Sequence, residues 1–233
     1  IIEAQDIPIK LGISIPGTTL PAASHAITLL HMDNRRILSF AFLASLSFVL
    51  LSAQEQGTFW KRWQEAEKAG DWKKAELAMR EALVRFPEQT DFSTSLSWAL
   101  RQQKRPEEAV AILEPLFAKK PGEKALREAL AYSLLDIGWK SYAISDFTGA
   151  AKPFTRAFGI LPDDRYVANA YGCVLRDTGR VDEGLPILEK AYRIYPDDKD
   201  LKSNLAYAYI VKADLLAAAK DDAAEGFYTR SAA

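Results

Sequence analysis

The sequence predicts an all-α chain in which helix-turn-helix units stack in series as a solenoid. Three observations carry that prediction. First, proline closes four similar segments, Val84-Arg85-Phe86-Pro87, Ala118-Lys119-Lys120-Pro121, Gly159-Ile160-Leu161-Pro162 and Arg193-Ile194-Tyr195-Pro196, at successive spacings of 34, 41 and 34. Self-similarity at a fixed period of this length is the mark of a repeat architecture. Second, small and large apolar residues return at the same places inside each segment, with the spacing of helix faces. Third, the part of the chain that carries the repeats holds no histidine and a single cysteine, so no catalytic or metal-binding constellation competes with a structural reading.

Composition agrees with an ordinary globular protein. Of 233 residues, 48% are hydrophobic and 26% charged, and 30 basic residues against 31 acidic ones leave a net charge of −1. A nucleic-acid or anionic-lipid partner would want a basic excess, and there is none. Cys173 can form no internal disulfide, and zinc would need several ligands that are lacking. His25 and His31 both precede the repeats, which removes the usual general base. No phosphate-binding glycine loop is present. The chain is therefore expected to be no enzyme and to need no cofactor or metal. Asp163-Asp164 and Asp197-Asp198 each follow a unit-ending proline, where acids suit the start of the next helix. Neither they nor Asp221-Asp222 have the spacing of a calcium loop.

The first fifty residues read differently. Met32 is the first methionine, and Asp33-Asn34-Arg35-Arg36 leads into an apolar or weakly polar run from Ile37 to Leu51. A short basic start, an apolar run of about 15 residues and a small-residue exit describe a secretory signal. Residues 32–53 are thus expected to be a signal peptide cleaved after Ala53, with a membrane anchor or a buried core helix as alternatives. Residues 1–31 mix Pro8, Gly12, Pro16, Gly17 and Pro21 without a helical period. They are expected to be an upstream leader or a tail with no folded role.

From Gln54 onward the units can be aligned. The first, about 56–89, reads Ala66, Gly70-Asp71-Trp72, Ala75, Met79, Ala82 and Pro87; Trp63 stands where a small residue would be usual. The second, about 90–123, supplies Leu96, Leu100, Ala109, Leu113 and Pro121. The fourth, about 165–198, supplies Tyr171-Gly172, Leu175, Gly179, Gly184, Leu188, Ala191 and Pro196. With its 34-residue period, the region 56–233 resembles the tetratricopeptide repeat family. The resemblance implies about four and a half antiparallel helix pairs wound into a right-handed superhelix. Small residues at motif positions 8 and 20 would let the two helices of a pair approach closely. Gly70, Gly138 and Gly179 are expected near the ends of first helices, as left-handed caps.

Two units depart from the period. The third, about 124–164, carries seven extra residues, most simply as a first helix lengthened to roughly Glu123–Ile144 before a Ser145–Gly149 turn. Its Pro153 is expected within the first turns of the second helix, where proline is tolerated near the start. The fifth, 199–233, is incomplete: Leu205-Ala206 and Tyr209 begin it, Ala224 and Tyr228 begin its second helix, and an insertion of about six residues lies between. The lack of a closing proline and of a polar capping helix leads to the expectation that the natural chain continues.

In this family the first helices line a concave groove, chiefly through motif positions 2, 5, 9 and 12. Carried over, these are Asp91, Thr94, Trp98 and Arg101 in the second unit and Ala125, Glu128, Tyr132 and Leu135 in the third. The fourth gives Tyr166, Asn169, Cys173 and Arg176, and the fifth Asp200, Ser203, Tyr207 and Ile210. The candidate partner-binding residues are Trp98, Arg101, Glu128, Tyr132, Tyr166, Asn169, Arg176 and Tyr207. Trp98, Tyr132, Arg101 and Arg176 lead, because aromatics and arginines dominate interface energetics. Packing between repeats is the alternative role for Trp98 and Tyr132, and small apolar packing or groove lining that of Cys173. The lysines of a chaperone carboxylate-gripping site are absent from their places. The expectation is an exported scaffold that holds a protein or peptide in the groove, within periplasmic or cell-envelope assemblies. Two rival expectations are the interaction part of a larger enzyme or secretion component, and a membrane-tethered organiser held by Ile37–Leu51.

Overall fold

The computed structural model describes the backbone of residues 34–232 and the side chains of residues 51–232. The leader expected over 1–31 and the start of the signal at Met32-Asp33 lie outside the described residues. Among the described residues there are ten helices and no strand. The chain divides into two units, 1–54 and 55–233, and nearly all side-chain detail belongs to the second. α1 (Asn34–Lys68) begins in the first unit and ends in the second, and Ala53, the expected cleavage point, lies within it. Among the described residues no helix is long and apolar enough to cross a membrane.

The second unit is a series of antiparallel pairs. The later part of α1 pairs with α2 (Trp72–Arg85), α3 (Thr90–Gln102) with α4 (Pro106–Lys119) and α5 (Lys124–Tyr142) with α6 (Phe147–Ile160). α7 (Arg165–Asp177) pairs with α8 (Val181–Ile194), and α9 (Lys199–Ala218) with α10 (Ala224–Ser231). α2, α4, α6 and α8 are all 14 residues long, whereas the first helices alternate between 13 in α3 and α7 and 19 or 20 in α5 and α9.

One device ends every first helix. A residue with positive φ sits in each turn: Gly70, Lys104, Ser145, Gly179 and Lys220. The residue after it donates its N–H back to the helix, as Asp71 to Ala66, Arg105 to Leu100, Asp146 to Ser141, Arg180 to Leu175 and Asp221 to Leu216. This is the six-to-one bond of a left-handed helix stop. Gly70 to Lys104 and Ser145 to Gly179 each span one plain period; Lys104 to Ser145 and Gly179 to Lys220 are both seven residues longer. The last unit therefore carries the same seven-residue extension as the third, one more than the six read from the sequence. The extra turns continue α5 and α9.

Gly138 is not a cap. It lies inside α5, buried, and a Cβ there would come within 2.2 Å of the Phe154 ring. Ser145 occupies the left-handed position instead. The turn is also shorter than Ser145–Gly149, because Asp146 caps α6 by accepting from the Gly149 N–H at 2.8 Å. Pro153 is the seventh residue of α6, within its first two turns, and Pro115 and Pro186 also stand inside α4 and α8. These three prolines are exposed or half-buried, so each missing helical bond lies toward water.

Second helices end before a proline. Phe86, Lys120, Leu161 and Tyr195 all adopt φ between −125° and −134° with ψ between 60° and 72°, outside the helical region that a following proline disfavours. Asp164 and Asp198 then cap α7 and α9 by accepting from two backbone N–H groups each. The buried core falls into three clusters along the array. Phe59, Trp63, Ala75, Met79 and Phe92 form the first, Leu113, Leu126, Leu130 and Phe154 the second, and Leu185, Leu188, Leu201 and Leu205 the third. Trp63, out of place for the motif, is buried among the apolar side chains of α1, α2 and α3.

Candidate functional site

Successive first helices stand side by side, α3 against α5, α5 against α7 and α7 against α9. Positions three, seven and ten residues apart share a helix face, so Asp91, Thr94, Trp98 and Arg101 line one face of α3. The same spacing sets the predicted site residues of α5, α7 and α9 on neighbouring strips of one wall.

Polar bonds one repeat apart fasten that wall. Arg101 Nε donates to Asp136 Oδ2 at 2.6 Å, and its guanidinium carbon lies 5.5 Å from the Trp98 ring centre and 5.6 Å from that of Tyr132. Tyr132 donates to Asp164 at 2.8 Å. Burial, and then the carboxylate of Asp164, push this phenol up to about 12. Asn204 Nδ2 donates to Asn169 Oδ1 at 3.0 Å. Arg165 lies 4.4 Å from the Tyr166 ring centre and Arg176 4.4 Å from that of Tyr207. Glu128 faces Lys124 at 3.6 Å.

The structure separates the predicted residues into two groups. Trp98, Tyr166 and Tyr207 are exposed, and Tyr132, Glu128 and Asn169 are half-buried. Arg176, expected as an anchor for a partner, is only 6% exposed. It is bound to Asp177 at 2.7 and 2.9 Å and to the Tyr142 hydroxyl at 3.3 Å, with Tyr207 stacked over it. Its Nη1 has no acceptor among the described residues. Arg101 is also largely enclosed, its side chain 15% exposed. Leu135 and Cys173, two further family groove positions, are buried. Burial pushes the Cys173 thiol up to about 11 against the opposing pull of Arg176, so it is no nucleophile at neutral pH. The arginines organise the wall, and the aromatics face outward.

Sequence reasoning missed the residues that hold these side chains: Asp136, Asp164, Asp177, Tyr142 and Asn204. Each has a partner 32 to 35 positions away, as in Arg101–Asp136, Tyr132–Asp164 and Asn169–Asn204. Complementary polar residues one repeat apart were the available signal.

The wall is open rather than a pocket. Cavities of about 440, 340 and 140 Å³ lie elsewhere, between α1 and α2, at α8–α10, and among α6–α8, and none is lined by a predicted site residue. Among the described residues no group of three or more metal-ligating side chains converges.

The sequence matches the family model described as "Tetratricopeptide repeat" over residues 32–153. The chain belongs to the tetratricopeptide repeat family. Several solved structures share its fold. One, titled "Crystal structure of MamA protein", is 16% identical, with a TM-score of 0.56 over 77% of this chain and 91% of that one. Another, "MamA 41-end from Desulfovibrio magneticus RS-1", is 14% identical, with a TM-score of 0.57 over 76% of this chain and 93% of that one. At these identities the likeness is one of fold. Among curated proteins none is similar enough in sequence to count as a relative. Family membership makes this repeat protein a scaffold for protein–protein interaction.

Proposed function

We propose that the wall formed by α3, α5, α7 and α9 is the concave binding surface of this tetratricopeptide repeat protein. It holds a peptide segment or helix of a protein partner by equilibrium recognition, without chemistry of its own. The supporting observation is the series of exposed aromatics, Trp98, Tyr166 and Tyr207, on a wall held rigid by internal ion pairs and hydrogen bonds. Large rings kept in place bury much area at little entropic cost, which is what interface anchors need. The domain extends from about residue 56 through five repeats. The basic start and apolar run of residues 32–53 support export, and so a place in periplasmic or cell-envelope assemblies.

Crosslinking and capture from the native cell envelope test the surface. Trp98→Ala combined with Tyr207→Ala should weaken capture of the principal partner by about tenfold or more, since anchors of this kind contribute roughly 1–2 kcal/mol each. Val84→Ala, an exposed residue of α2, is the control and should leave capture unchanged. Equal capture by both variants would remove the surface from consideration.

A further inference from the structure

The arginines on this wall are already neutralised from within. Arg101 is paired with Asp136, Arg176 with Asp177, and Arg165 faces Asp198 at 3.7 Å. Lys124 is likewise drawn to Glu128. Two carboxylates of the wall remain without a hydrogen bond or ion pair among the described residues: Asp91 on α3 and Asp200 on α9, both exposed. They stand at motif position 2 of their helices, toward the two ends of the series of exposed rings. Lys199 adjoins Asp200 in sequence and is exposed as well, and Lys120 Nζ lies 3.4 Å from the hydroxyl of Thr90 beside Asp91, so the local field is mixed at both ends.

The rings themselves show what they accept. Trp98, Tyr132, Tyr166 and Tyr207 each have a guanidinium near the ring centre, at 5.5, 5.6, 4.4 and 4.4 Å respectively. The negative face of an aromatic ring attracts a cation, and arginine more often than lysine. Trp98, Tyr166 and Tyr207 still offer ring surface to solvent.

We propose that the partner segment is a basic amphipathic helix, its apolar side against the rings and its lysines or arginines directed at Asp91, Asp200 and the open aromatic surface. This rests on the assignment of the wall as the binding surface. It reverses the polarity implied by treating Arg101 and Arg176 as anchors, which would select an acidic segment. A buried arginine already satisfied by its own aspartate has little left for an incoming carboxylate, while an exposed unpaired aspartate gives up only part of its hydration to meet a cation.

The test uses the full chain and two dye-labelled synthetic helices with one apolar pattern, lysine and arginine filling the polar positions of one and glutamate those of the other. Fluorescence anisotropy should show the basic helix binding about tenfold tighter at low salt, with the difference shrinking as salt rises. Asp91→Asn with Asp200→Asn should reduce basic-helix affinity about three- to tenfold, the range for partly exposed charge contacts. Trp98→Ala with Tyr207→Ala should abolish it. Preference for the acidic helix, no binding of the basic helix, or indifference to the two Asn substitutions would overturn the proposal. The captured natural partner separates this inference from the reading beneath it. If its binding needs Trp98 and Tyr207 yet tightens with the Asn substitutions, the charge inference falls and the surface stands. If it responds to neither pair, the surface falls too.

Discussion

A methyl group added at Gly184 would sit 2.8 Å from the carbonyl oxygen of Gly172 and 3.2 Å from the Cβ of Leu175. Gly172 meets Leu188 in the same contact, where an added Cβ would lie 2.6 Å from Leu188 Cγ. These two glycines occupy the small-residue positions 8 and 20 of the fourth repeat, and the backbones of α7 and α8 depend on them to approach. A side-chain neighbour could rotate away, but a carbonyl oxygen moves only with its helix. Gly184→Ala should therefore lower stability by about 1–3 kcal/mol, the usual cost of overpacking, despite alanine's better helix propensity. Urea denaturation would check this, and a variant as stable as the parent would mean the helices can part without loss. At this scale the sequence was informative about size and less so about role. Gly138 read as a cap because glycine suits both a left-handed turn and a close approach, and only the ring of Phe154 decides between them.

Between elements, ionic contacts join one pair to the next. Glu76 on α2 accepts from Arg80 at 2.8 Å, Gln103 at 2.8 Å and Arg105 at 2.7 Å, and its side chain is only 13% exposed. Burial disfavours its ionised form, but the bonds from Arg80, Gln103 and Arg105 outweigh that and hold the carboxyl below its usual range. A carboxylate whose folded pKa is depressed stabilises the fold fully above its unfolded pKa, about 4.3, and loses that contribution as pH falls through the folded value. Glu76→Gln should accordingly cost about 1–3 kcal/mol at pH 7. The loss should shrink as pH drops below about 4, so the acid limb of the stability profile becomes shallower than the parent's. Parallel acid limbs for parent and variant would show that Glu76 titrates alike in both states. Element lengths were legible wherever the period held. The seven extra residues of the last unit were not, because no proline follows to mark them; Lys220 at positive φ supplies the missing mark.

Across the repeat region, helices pack chiefly against their sequence neighbours and the helix two along. Stability in such an array is a sum of repeat and interface contributions, so the ends open before the middle. α10 buries Ala224 alone, whereas α7 buries residues on most of its circumference from Val167 to Arg176. Amide hydrogen exchange should run from fast in α10, through α9, to slowest in α5–α8. Equal protection of α10 and α7 would instead show one cooperative unit. The same serial packing explains why the binding wall exists at all. Each first helix gives one face to its own second helix, its flanks to the next first helices, and the remaining strip to solvent.

The sequence by itself determined the helix pairs, their period and the small residues at their crossings, and it marked on each first helix a candidate strip, on which Leu135, Cys173 and Arg176 prove buried. All of these follow from local periodicity and from residue size, which one repeat carries within its own length. What the tertiary structure alone decided is the use of the polar residues on that strip. Arg101 and Arg176 look like free anchors in a linear reading, because Asp136 and Tyr132 around the first, and Tyr142 and Tyr207 around the second, lie about one repeat away, while Asp177 merely adjoins Arg176 in sequence. An ionised side chain is defined by the charges within a few ångströms of it, and stacking brings together residues that the chain keeps a full repeat apart.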